Sequence, residues 1–92
     1  MQNFPEPDEP YDASVFVPEP DQTAEVIREL RKKSKLSRAQ VAVKAGIGIG
    51  VLERVEQGKQ SPSLMTLLGL AYVFDVGVEE ILDAAHDVPY KA

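Results

Sequence analysis

The chain has 92 residues, of which 43% are hydrophobic, and it carries a formal net charge of −5. That length allows one small domain with one core. The absence of cysteine excludes disulfides and thiolate metal sites and fits the cytoplasm, and no apolar run approaches the roughly 18 residues that a membrane span requires.

Residues 1–21 differ in composition from the rest of the chain. They hold six acidic residues and no Lys or Arg, and five of the seven prolines lie in residues 1–20. Such a segment cannot bury enough apolar surface to offset the entropy of ordering, so we predict a disordered acidic tail over residues 1–21. Its few hydrophobic residues are either chance members of a solvated tail or a short motif that binds another protein: Tyr11, Val15, Phe16 and Val17.

Five short helices and no strand are predicted after the tail. The first begins at Thr23, with Asp21 or Thr23 as its cap, and ends at Ser34. Basic residues crowd its last turns, where cations suit the helix dipole. We expect four of them to be exposed: Arg28, Arg31, Lys32 and Lys33. The other predicted helices are 38–45, 49–57, 63–74 and 78–85.

Residues 36–58 predict two short helices joined by a tight turn. Ser37 and Gln40 have the spacing of a capping box at the start of the first of them. Gly46 and Gly58 are suited to the left-handed conformation that ends a helix. This pattern is typical of a helix-turn-helix, whose second helix usually makes the contact with a binding partner.

The core is expected to be aliphatic and to draw on every helix. Gly69 lies inside the fourth helix, so either a neighbour packs tightly there or the helix is locally weak. Met65, Tyr72 and Phe74 of the same helix belong either to the core or to a homodimer face. The predicted core is Ile27, Leu30, Leu36, Val41, Ala42, Ile47, Leu52, Val55, Leu64, Leu67, Leu68, Ala71, Ile81 and Leu82.

Two segments, LRKKSKLSRAQVAVKAGI and LERVEQGKQSPSLMTLLGLAYVFDVGVEEIL, resemble the phage-repressor type of helix-turn-helix domain, the XRE or Cro-like family. The resemblance covers about residues 25–83. It implies an all-α, five-helix, lambda-repressor-like domain. From the predicted helices we expect this domain over 22–86, with a frayed end at 87–92. It also implies dimers on operators, with the third helix in the DNA major groove. The candidate DNA contacts, from this resemblance and from the basic cluster over residues 28–44, are Arg28, Lys32, Arg38, Lys44, Arg54, Gln57, Lys59 and Ser61.

The chain departs from this family at the positions that read bases. The family usually has polar residues there, whereas this chain has Gly48, Ile49, Gly50 and Val51. Base readout needs hydrogen-bond donors and acceptors at the groove edges, and apolar side chains beside glycine suit a protein surface better. The sequence therefore favours an antiactivator or antirepressor that binds another regulatory protein. The alternative is a DNA-binding repressor.

The candidate partner-binding residues lie at the start of the third helix. Either Ile49 or Val51 can instead turn inward and belong to the core. If both are exposed, Ile49→Asp and Val51→Asp should break a complex and leave the fold intact. The candidates are Ile49, Gly50, Val51, Glu53 and Arg54.

No enzyme chemistry is indicated. His86 is the only histidine and lies near the end of the chain, while Glu79 and Glu80 suit the start of a helix. No spacing typical of metal ligands is present. We therefore expect no catalytic residue, metal or cofactor. The expected partner is another regulatory protein, with double-stranded DNA as the alternative.

Overall fold

A computed structural model describes residue 10 and residues 17–90 of the chain. In that part it contains five helices and no strand: α1 (Pro20–Ser34), α2 (Arg38–Ala45), α3 (Ile49–Glu56), α4 (Leu64–Phe74) and α5 (Val78–Asp87). The predicted all-α fold is confirmed, and α2 has its predicted bounds. Most of the predicted tail lies outside the described residues.

The start of α1 lies three residues before its predicted position. Glu19 is the N-cap, and its backbone N–H donates to the Gln22 side chain at 2.9 Å. Pro20 follows as the first helical residue, a position where its missing N–H costs nothing. The prediction of Asp21 or Thr23 as the cap was wrong, because proline fixes the backbone earlier than either residue. Gln22 also donates to the Val88 carbonyl at 2.6 Å, which ties the start of α1 to the end of α5.

The capping residues predicted for α2 act as expected. The Ser37 hydroxyl accepts from the backbone N–H of Gln40 at 3.1 Å, and the Gln40 side chain accepts from the Ser37 N–H at 2.9 Å. Gly46 ends α2 with φ 72°, and Gly58 follows α3 with the same φ. Left-handed glycines thus set the turn between the two helices and the exit from α3.

Two clusters of buried side chains form the core. The first joins α1, α2, α3 and α4, and the second joins α1, α4 and α5. The fully buried members of the first cluster include Ile27, Leu52 and Leu70, and Ile81 is the fully buried centre of the second. Four predicted core residues are only half-buried but pack against these clusters: Leu30, Leu36, Ile47 and Leu82.

The predicted orientation of α4 was wrong at two core positions. Leu64 is 66% exposed and Leu68 is 50% exposed, whereas Leu70 is fully buried. Gly69 explains the difference, because a Cβ atom there would lie 2.3 Å from the carbonyl oxygen of Ala45. Gly69 must face α2, and Leu68 and Leu70 lie about 100° to either side of it around the helix. The side that holds Leu70 packs into the first core cluster, which leaves Leu68 on the solvent side. Of the two explanations for Gly69, the structure supports tight packing by a neighbour.

Candidate functional site

The exposed face of α3 is less apolar than the sequence suggested. Ile49 is 47% exposed, and Glu53 and Arg54 are also exposed. Val51, in contrast, is half-buried and packs against the first core cluster. Val51 is therefore the residue that turns inward, and Ile49 is the large apolar side chain that α3 leaves exposed.

Two glycines shape the start of α3. Gly48 is the N-cap and supplies no side chain to the cap. A Cβ atom at Gly50 would lie 3.3 Å from Nη1 of Arg54, so the guanidinium of Arg54 lies beside this glycine. Nε of Arg54 donates to Oε1 of Gln60 at 2.8 Å, which holds the side chain toward the loop after α3. Arg54, one of the candidate DNA contacts, is thus already hydrogen-bonded within its own chain.

Behind α3 lies an ion-pair cluster centred on Glu56, whose side chain is 1% exposed. Arg31 donates to both of its carboxylate oxygens, from Nε at 2.7 Å and from Nη2 at 3.0 Å. Arg38 donates to Oε1 from Nε at 3.0 Å. This cluster fastens the end of α3 to α1 and to the start of α2. The hydrogen bonds to Glu56 raise the pKa of Arg31 above its ordinary value, so this arginine stays charged throughout the physiological pH range.

Because of this cluster, two arginines are less exposed than the sequence predicted. Arg28 is half-buried and donates from Nη1 to the backbone carbonyl of Glu56. The Arg31 side chain is 15% exposed. The expectation that both point to solvent was wrong, because both bind Glu56, which is 28 positions after Arg28 and 25 positions after Arg31 in the sequence. Lys32 and Lys33 are exposed, as predicted.

The remaining candidate DNA contacts are spread over the surface. Exposed side chains at the loop after α3 are Gln57, Lys59 and Ser61. Lys44 is exposed at the end of α2, where it lines a depression with Tyr72 and Asp75 of the α4 end. The structure therefore brings Arg28, Arg31 and Arg38 together at Glu56, and it places Lys44 on the α2–α4 surface.

Of the candidate tail motif, only Val17 belongs to the described residues, and it is 50% exposed. Tyr11, Val15 and Phe16 lie outside them. Pro18, the next residue, is buried. The ordered domain therefore begins a few residues before α1.

Sequence reasoning missed Glu56. It belongs to the buried side of α3 together with Leu52 and Val55, so it is a charged residue within an apolar stripe. A lone carboxylate at such a position indicates a buried ion pair. In the described part of the chain, no group of three or more His, Cys, Asp or Glu side chains is placed to hold a metal ion. None of the described helices has the length and apolarity to span a membrane.

Comparison with known proteins identifies relatives of this domain. A family model described as a helix-turn-helix domain matches residues 22–84. The HTH-type transcriptional regulator SinR of Bacillus subtilis (strain 168) is 34% identical over 65 residues, which cover 70% of this chain and 59% of SinR. The uncharacterized HTH-type transcriptional regulator RghRB of the same organism is 38% identical over 60 residues, 64% of this chain and 43% of RghRB. The chain thus spans less than two thirds of either relative.

A solved structure has the same fold. The restriction-modification controller protein C.AhdI from Aeromonas hydrophila matches with a TM-score of 0.64 and 29% sequence identity. The match covers 67% of this chain and 94% of C.AhdI.

Proposed function

We propose that this chain inhibits another regulatory protein by binding to it. The chain belongs to the XRE-type helix-turn-helix family, and its general function is transcription regulation. The matched residues 22–84 take in α2, α3 and α4 completely and most of α1 and α5. The partner would be a transcription activator or repressor in the cytoplasm. This chain would then be an antiactivator or an antirepressor.

The composition of the exposed start of α3 carries this proposal. Ile49 and Gly50 have no side-chain donor or acceptor for base edges, and Gly48 before them has no side chain. Sequence readout in the major groove depends on such groups. An exposed isoleucine beside two glycines instead offers a flat apolar contact, as found at the centre of protein interfaces.

The hydrogen bonds of the arginines support the same function. Arg28 and Arg38 donate to Glu56, and Arg54 donates to Gln60. A phosphate contact by any of these groups would have to compete with a bond already made inside the chain. The net charge of −5 also opposes association with a polyanion.

The alternative function is a dimeric repressor on an operator. Family membership favours it, and so does the exposure of Lys59 and Ser61 in the loop after α3. Arg54 would then have to leave Gln60 to reach a base. A substitution at Arg54 therefore discriminates between the two functions, because Arg54→Ala should abolish DNA retention if the chain is a repressor.

Affinity capture from cells that contain the native partner tests the proposal. We expect the intact chain to retain a regulatory protein and Ile49→Asp to lose it, because the charge would be desolvated at the contact. Tyr90→Asp is the matched control, since Tyr90 is 57% exposed and lies beyond α5. Equal retention by Ile49→Asp and the intact chain would contradict a contact through α3.

The tail is tested by deleting residues 1–16. This deletion keeps buried Pro18 and the Glu19 cap, so α1 should form normally. If the tail supports the contact, the shortened chain should retain less partner than the intact chain but more than Ile49→Asp. Retention unchanged from that of the intact chain would exclude a role for Tyr11, Val15 and Phe16.

A further inference from the structure

An apolar groove with a volume of about 160 Å³ lies between α1 and α5. Five of its six lining residues are apolar, and the sixth is a glutamate. None of the six is a candidate contact of α3 or a candidate DNA contact. The lining residues are Val26, Leu30, Val76, Glu80, Ile81 and Ala84.

The floor of this groove belongs to the second core cluster. Val26 is 7% exposed and Ile81 is 1% exposed, and Leu30 packs against the same cluster. Ala84, in contrast, is exposed, and its methyl group is too small to cover the groove. A side chain from outside the domain can therefore reach core residues at this point.

The groove has room for one large apolar side chain. An apolar cavity of about 150 Å³ in a protein core accommodates a benzene molecule. The ring of a phenylalanine therefore fits the groove between α1 and α5. The volume suits a single anchoring side chain and is too small for a continuous apolar face.

The surface of α5 beside the groove is acidic. This helix has four carboxylates and no Lys or Arg. Glu79 and Glu80 suit the positive start of the helix, but Asp87 is its last residue, where a negative charge opposes the helix dipole. Asp83 is three residues after Glu80, and Asp87 is three residues after Ala84, so both exposed carboxylates adjoin the groove.

The edge formed by α1 adds one charge of each sign. Glu29 is exposed three residues after Val26, and Lys33 is exposed three residues after Leu30. The groove is thus bordered by four carboxylates and one ammonium group, a net charge of −3. We call the carboxylates the acidic rim: Glu29, Glu80, Asp83 and Asp87.

We propose that the groove between α1 and α5 binds a basic segment of another protein, in which Lys or Arg residues flank one large apolar side chain. The apolar side chain enters the groove, and the flanking cations lie against the acidic rim. Charge complementarity of this kind selects a partner and speeds its association. The chain's own tail does not match the site, because its six acidic residues would meet the acidic rim. A second copy, with a net charge of −5, would also be repelled.

Amide chemical shifts of the isotope-labelled full chain test the proposal with a synthetic peptide, Gly-Lys-Lys-Phe-Lys-Lys-Gly. This peptide should shift the amides of Val26, Leu30 and Ala84, and its affinity should fall as salt screens the charges. One control peptide has Glu in place of each Lys, and another has Ser in place of Phe. Each control should bind more weakly by about tenfold or more, because one lacks the cations and the other lacks the apolar anchor.

A substitution at Ala84 tests the position of the contact. Ala84→Phe places a ring of the chain's own over the groove and should weaken binding of the lysine peptide by about tenfold or more. Ala39→Phe is the matched control, since Ala39 is an exposed alanine of α2, and it should bind the peptide like the intact chain. Circular dichroism shows whether both variants keep their helices. The control peptides are tested on the intact chain, so they decide the matter even if Ala84→Phe does not fold.

Several results would overturn the proposal. They are an absence of binding by the lysine peptide, equal binding of the glutamate peptide, and unchanged binding by a folded Ala84→Phe. Binding that appears only after residues 1–16 are deleted would show that the tail covers the groove. Shifts of the same amides with the concentration of the chain alone would show that a second copy does. The assay contains no regulatory protein, so its failure would leave the proposed contact through α3 unaffected.

Discussion

The guanidinium of Arg31 in α1 makes a paired contact with the carboxylate of Glu56 in α3, with N–O distances of 2.7 and 3.0 Å. The two residues are 25 positions apart in the sequence. Their pairing fixes the end of the exposed helix against the first helix, so the position of α3 depends on it. It also removes a cation from the surface that a DNA-binding function would use.

Removing the buried carboxylate should destabilise the domain strongly. Glu56→Ala leaves the largely buried Arg31 without its partner, and we expect a loss of about 3 kcal/mol in the free energy of unfolding. Arg38→Ala is the matched control, because the Arg38 side chain is 50% exposed and should contribute less than about 1 kcal/mol. Urea unfolding followed by circular dichroism measures both changes. Similar losses for the two variants would contradict the central position assigned to Glu56.

Replacing two helical glycines by alanine should change the stability of the domain in opposite directions. Gly69→Ala places a Cβ against the Ala45 backbone, which cannot move without separating α2 from α4, and should cost about 2 kcal/mol. Gly50→Ala meets only the flexible end of Arg54 and should stabilise the chain by about 0.5–1 kcal/mol through helix propensity. Thermal unfolding of both variants checks the pair. A stabilising Gly69→Ala would show that α2 and α4 are not in close contact.

Aspartate at Val51 should destabilise the fold, whereas aspartate at Ile49 should leave the stability nearly unchanged. Val51→Asp buries a carboxylate against the core and should lower the free energy of unfolding by about 2–3 kcal/mol. Ile49→Asp changes an exposed side chain and should stay within about 0.5 kcal/mol of the intact chain. The sequence-based expectation that both variants keep the fold intact thus applies to Ile49 only. Chemical denaturation would contradict this assignment if the two losses were equal.

Local patterns in the sequence predicted the helices well. The bounds of α2 follow from a capping box at Ser37 and a glycine at 46, both of which act within a few residues. The orientation of α4 could not be obtained in this way, because α4 is apolar on nearly every side and its periodicity is weak. Gly69 decides that orientation through contact with Ala45, which is 24 positions earlier in the chain.

The site was predicted only in part for a similar reason. The start of α3 at Ile49 was predicted correctly because the helix-turn-helix pattern is local, whereas the inward turn of Val51 was left open. The bonds that hold Arg28, Arg31 and Arg38 at Glu56 join residues 18 to 28 positions apart. A count of basic residues cannot show which of them are already paired. The basic cluster therefore appeared more available to phosphates than it is.

Selection from a random pool of duplex DNA by the full chain, at physiological ionic strength, tests most directly whether α3 has lost sequence readout. The apolar start of α3 and the internally bonded arginines predict that no sequence becomes enriched over successive rounds. Enrichment of a single palindromic site, with retention that Arg54→Ala abolishes, would contradict the proposed protein-binding function and establish the chain as a DNA-binding repressor.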